Sequence, residues 1–174
     1  STIPMDVNGD GYLDVVTGGW AEGRLVWREN PRGEATEWRT HLIDRCSHIE
    51  TTRAFDVDGD GEPEIVPNAP ADPLRFYKLL RDADGKPTGE FRMVTVSDTP
   101  MGHGLGFGDV TGEGRPCIVT KGGWYAPAGD PLEDPCTFHA EFDLGRASVP
   151  VIVTDVDGDG VAEMIVGNAH GYGL

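Results

Sequence analysis

The feature that most constrains this chain is an acidic segment punctuated by glycine that returns four times: DVNGDGYLDVV from Asp6, DVDGDGEPEIV from Asp56, DVTGEGRPCIV from Asp109 and DVDGDGVAEMIV from Asp155. Its first aspartates are 50, 53 and 46 residues apart. A period of that size marks one supersecondary unit, and it fits a four-stranded β-propeller blade. A short apolar stretch enters the loop at 52–55 and 149–154, and a β-branched one leaves it at 15–17, 65–66, 118–120 and 164–166. These runs have strand length and strand composition. Further strands are expected at 24–28 and 38–43 in the first unit and at 74–80 and 91–96 in the second. The strands leaving the loops are apolar at consecutive positions, as expected where neighbouring blades cover both faces. No useful length of chain carries the 3.6-residue apolar period of a helix. The expectation is an all-β chain of antiparallel propeller blades over 1–45, 46–98, 99–145 and an incomplete 146–174, three blades and a half blade of a seven-bladed ring.

Inside the first, second and fourth loops, oxygen-bearing side chains recur at positions 1, 3, 5 and 9. They are Asp6, Asn8, Asp10 and Asp14; Asp56, Asp58, Asp60 and Glu64; and Asp155, Asp157, Asp159 and Glu163. Calcium takes six to eight hard oxygen ligands, and alternate residues of a tight turn can aim theirs at one point. Glycine at positions 4 and 6 permits the left-handed turns this needs. Without a cation, converging carboxylates repel one another. An EF-hand would place a bidentate glutamate at position 12, where this chain has Thr17, Pro67 and Val166, and helices would flank the loop. Calcium is therefore the expected cofactor of these three loops. The third has Asp109, Thr111 and Glu113 but Cys117 at position 9, a poor ligand for a hard cation.

The periodic loops also explain the charge. Asp and Glu number 30 against 14 Lys and Arg, a formal net charge of −16, which argues against nucleic acid as a partner. No apolar run approaches the roughly 20 residues needed to cross a bilayer, so membrane insertion is not expected. Cys46, Cys117 and Cys136 lack any Cys-x-x-Cys spacing; they read as small buried residues, although one pair could bridge.

An acidic loop of the form apolar-Asp-Val-Asp-Gly-Asp-Gly-x-x-Glu-Ile-Val, repeated near every fifty residues, resembles the FG-GAP/VCBS repeat family of calcium-stabilised β-propellers. The likeness covers essentially the whole chain. It implies fold and calcium more than function, because the family includes integrin heads, lectins, adhesins and enzyme accessory domains. It is also consistent with a secreted or periplasmic protein whose remaining blades lie elsewhere in a longer parent chain.

If each acidic loop joins strands one and two at one end of a blade, the other ends of those strands converge at the opposite face. Residues six to eight before the loop, and twelve to fifteen after it, then meet there. His48, Glu50, Arg53 and His103 stand before loops; Trp20, Asn68, Lys121, Trp124, Tyr125, Asn168 and His170 stand after them; and His139 lies in the third unit's insertion. A concentration of titratable groups on one rim marks a candidate site. Trp124, after two glycines, reads as an exposed platform for a sugar ring, and Tyr125 has packing between blades as its plainer alternative.

A second resemblance concerns LVWRENP, WRTHLI, SHIETTRAFD, HGLGFGD and GGWY, which are similar to the propeller of aldos-2-ulose dehydratase and related bacterial proteins. That likeness implies elimination of water or an alkoxide from a keto-sugar, a lyase reaction in which a base removes a proton beside a carbonyl. On this reading His48, His103 and His170 hold a zinc-like transition metal with Glu50. Lys121 or His139 serves as acid or base, and Arg53, Trp124 and Tyr125 contact the carbohydrate or other small molecule. The competing expectation is an adhesion or scaffold module with calcium as its only ligand.

Overall fold

Every regular element in the computed structural model, which describes residues 1–169 and 171, is a β-strand. The first sheet contains β1 (Thr2–Met5), β2 (Asp14–Gly19), β3 (Arg24–Glu29) and β4 (Arg39–Arg45), paired in that order. The second contains β5 (Thr51–Phe55), β6 (Glu64–Asn68), β7 (Pro73–Arg81) and β8 (Pro87–Pro100). The third contains β9 (Leu105–Gly108), β10 (Cys117–Thr120), β11 (Gly123–Pro127) and β12 (Cys136–His139). Two further strands, β13 (Ala147–Thr154) and β14 (Glu163–Asn168), pair with each other. All pairings are antiparallel between consecutive strands, the meander of a propeller blade. The fold is a partial β-propeller of three four-stranded sheets and one two-stranded sheet.

The consecutive apolar positions after each acidic loop are explained by which side each residue faces. Ile65 enters the core between the first and second sheets, with Val16, Leu25 and Trp27, while its neighbour Val66 enters the next core with Phe76 and Leu105. Ile118 belongs to that second core and Val119 to a third, against Val151. Successive side chains of a strand point to opposite faces, so a blade held between two others must be apolar at both.

The glycines of HGLGFGD serve this packing. A Cβ on Gly106 would lie 2.5 Å from the Val151 carbonyl oxygen, and one on Gly108 would lie 2.6 Å from Val153 Cβ. Only glycine lets β9 approach β13 so closely. One strand runs past its expectation: β8 extends from Pro87 to Pro100 rather than 91–96. The start of its hairpin reaches the first sheet, where Gly89 N–H donates to the Val7 carbonyl at 2.9 Å and Lys86 lies over Gly9.

Candidate functional site

Each acidic loop lies between the first two strands of its sheet and is built by its own side chains. The position-1 aspartate accepts the backbone N–H of position 6 in all four: Asp6 from Gly11 at 2.9 Å, Asp56 from Gly61 at 3.0 Å, Asp109 from Gly114 at 2.7 Å and Asp155 from Gly160 at 2.9 Å. The position-5 aspartates Asp10, Asp60 and Asp159 accept the N–H two residues on. The position-9 carboxylate closes the turn on the N–H of position 2: Asp14 to Val7, Glu64 to Val57 and Glu163 to Val156. Cys117 instead turns its thiol to the Arg115 carbonyl, and burial pushes that thiol up to about 11. The third loop keeps the turn and lacks the ninth-position oxygen.

The four loops differ in what faces the remaining oxygens. In the fourth, ligand atoms of Asp155, Asp157 and Glu163 lie within 4.8 Å of one another, and among the described residues no salt bridge engages them. This donor set fits a hard divalent cation. In the second, Asp56, Asp58 and Glu64 converge equally closely. Here, however, Lys78 Nζ lies 2.6 Å from Asp58, 2.8 Å from Asp60 and 3.0 Å from Glu64. Burial opposes the ammonium, but the three carboxylates outweigh it and hold Lys78 protonated above the ordinary lysine range. Asp60 is lowered, chiefly by Lys78, whereas burial raises Glu64. In the first loop Asp10 turns outward to Arg32, with Nε at 2.9 Å, and both Asp14 oxygens accept backbone N–H groups, from Val7 and from Asn30. The Tyr12 N–H, ahead of Arg32, lowers Asp10.

At the opposite end of the sheets the structure brings together part of the expected rim. His103 Nδ1 donates to Glu50 Oε2 at 2.8 Å, linking the loop before β9 to the one before β5. His48 Nδ1 donates to the Trp20 carbonyl at 2.7 Å, and its ring stacks on the Trp20 indole with centroids 4.6 Å apart. Trp20 is 54% exposed. An open cleft of about 410 Å³ is lined by Trp20, Ile49, Glu50, His103, Ser148, Val149 and Ala169. Asn68 is fully buried beside it, donating to the Gly102 carbonyl while its own side-chain oxygen has no partner. The Lys121 stem covers Gly102 and Gly104, and Lys121 lines a neighbouring cleft with Tyr125 and Phe138.

Other expected rim residues are elsewhere. Trp124 is 7% exposed rather than an open platform: it stacks on His139 at 3.9 Å and donates its indole N–H to Glu141. The first sheet repeats this arrangement, with Trp27 stacked on His41 at 4.0 Å. In both sheets the tryptophan and histidine are directly paired across the third and fourth strands. His139 is thus a blade-building residue like His41, separate from His48 and His103. Tyr125 packs against Phe138 and into the second core, and Arg53 lies over Phe55 within β5. Both described groups of three metal-ligating side chains are in acidic loops and neither includes a histidine; His170 lies outside the described residues. The sequence reading missed Lys78 and Arg32. Lys78 could have been found by pairing the strands, since β7 runs antiparallel to β6 and sets Lys78 opposite Glu64.

Comparison with known proteins agrees with this architecture. Residues 6–66, from the first acidic loop through the second, match the FG-GAP-like repeat family. The matched stretch spans two successive acidic loops of the partial β-propeller. No curated protein matches it. A solved structure of an Agrocybe aegerita lectin, described for its specific recognition of non-reducing terminal N-acetylglucosamine, aligns with a TM-score of 0.53 at 23% identity, over 95% of this chain and 45% of that one. The chain therefore spans less than half of that lectin's length, and the likeness is one of fold.

Proposed function

We propose that this chain is the sugar-binding part of a calcium-stabilised β-propeller, with the ligand seated in the cleft at Trp20, Glu50 and His103. The observation that carries the reading is an exposed indole held against His48 beside a carboxylate–imidazole pair, in one open cleft. An aromatic face covers the apolar side of a pyranose, while a few fixed polar groups select its hydroxyls. A second cleft of about 430 Å³ lies at the loop end, lined by Asp6, Asp60, Glu64, Lys78 and Arg81 with no aromatic side chain, so it lacks such a platform. A propeller neighbour described as recognising N-acetylglucosamine makes that sugar the first to try. Calcium in the loop from Asp155 to Glu163 would offset the repulsion of its carboxylates and brace β13 against β14.

The test is calorimetric titration of the full chain with N-acetylglucosamine, followed by a glycan panel, for the wild type and Trp20→Ala. Saturable binding that weakens at least tenfold in the variant, with an unchanged far-ultraviolet spectrum, is expected. Absence of binding to every glycan would leave the scaffold reading, in which the cation is the only ligand.

A second reading is elimination on a keto-sugar. The Glu50–His103 contact at 2.8 Å favours it, because a carboxylate that orients an imidazole is a general acid–base arrangement. Turnover of a keto-sugar lost in His103→Gln, with sugar binding retained, would support this reading over binding alone.

A further inference from the structure

We infer that the second acidic loop, Asp56 to Glu64, carries its own cation in the Lys78 ammonium and takes no calcium. This inference rests on the reading of the acidic loops as calcium sites. The second and fourth loops share the run Asp-Val-Asp-Gly-Asp-Gly and the ninth-position glutamate, and their carboxylates converge alike. They differ in what comes next. Lys78 projects from β7 among Asp58, Asp60 and Glu64 at 2.6 to 3.0 Å.

Charge and space both follow from that placement. A calcium ion needs six to eight oxygens at about 2.3–2.6 Å, and three of the loop's carboxylates are turned onto one ammonium. Glu64 is 1% exposed and also accepts the Val57 N–H at 2.7 Å. Admitting calcium would expel Lys78 from its partners, and retaining both would set a dication against a half-buried ammonium. The lysine is covalently attached, so its effective concentration at the site does not depend on ambient calcium. The second blade is thereby fixed in its folded geometry whether or not calcium is present, while the loop at Asp155 depends on the ion.

Bound calcium per chain, measured by equilibrium dialysis and elemental analysis on the full chain, tests this. Asp58→Asn is expected to leave the count unchanged, and Lys78→Met is expected to raise it by one. Glu163→Gln is expected to lower the count by one and examines the calcium reading separately: an unchanged count there means that the fourth loop does not bind. A folded Lys78→Met protein with no added calcium, or a count lowered by Asp58→Asn, overturns the inference. Should Lys78→Met not fold, the side-chain ¹⁵N resonance of Lys78 in the wild type decides. A signal unmoved by millimolar calcium supports the built-in cation, and displacement on adding calcium overturns it.

Discussion

The loop end and the rim end of these sheets are assembled over different lengths of chain. At the loop end, the position-1, -5 and -9 carboxylates of the first, second and fourth loops each bond a backbone N–H no more than seven residues away. At the rim, His103 reaches Glu50 across 53 positions and His48 reaches Trp20 across 28. A structure closed by near neighbours can be copied from blade to blade. A site made from several blades can change in each without disturbing the repeat, so on the proposed reading stability belongs chiefly to one end and ligand choice to the other.

The largest test of that division is at the loop end. Glu64→Ala would remove a nearly fully buried carboxylate and leave the Val57 N–H without its acceptor and Lys78 with one partner fewer. Losing one member of a buried charged network costs about 3 kcal/mol or more. Chemical denaturation should show that loss, whereas Glu50→Ala at the rim should cost less than about 1 kcal/mol. Equal costs at the two ends would break the comparison.

The same division explains what could be read before the structure. Four acidic loops at a period near fifty fixed the direction and strand count of each blade, because every determinant of the turn lies within a few consecutive residues. Pairing across strands was less visible. Lys78 and Arg32 reach the loops from neighbouring strands and turns, and the sequence marks neither as a loop residue. At the rim, Trp20, His48, Glu50 and His103 were found because they follow or precede loops at the right distance. Trp124 meets the same spacing and is buried. Its cross-strand partner is His139, as His41 is for Trp27, and a stacked histidine on the adjacent strand draws the indole onto the sheet instead of into solvent. Spacing gives the end of the blade on which a residue lies; its cross-strand partner decides the face.

An intermediate effect is expected where blades meet. Gly108→Val would drive a branched side chain into Val153, whose Cβ lies 2.6 Å from the position a Cβ on residue 108 would take. Overpacking of this kind costs about 1–3 kcal/mol. It should lower the thermal midpoint by several degrees, with sugar affinity changed only slightly, because Gly108 lies at the loop end of β9 while His103 precedes that strand. A variant as stable as the wild type would mean that β9 and β13 can separate without loss, and the glycine-rich motif would then need a chemical explanation.

The smallest effect on stability, and the one that most sharpens the contrast, is expected of His48→Ala. The histidine ring stacks on Trp20 and its Nδ1–H bonds the Trp20 carbonyl, but this contact is at the surface, where such pairs contribute about 1 kcal/mol. The denaturation midpoint should therefore move little. Sugar affinity should fall several-fold, because an indole that loses its backing samples more rotamers and must be ordered again when the ligand binds. The drop should be smaller than that of Trp20→Ala, which removes the platform itself. His48→Phe restores a stacking ring without the Nδ1 donor, so recovery of affinity there would assign the role to stacking, and failure to recover would assign it to the hydrogen bond that holds the Trp20 backbone.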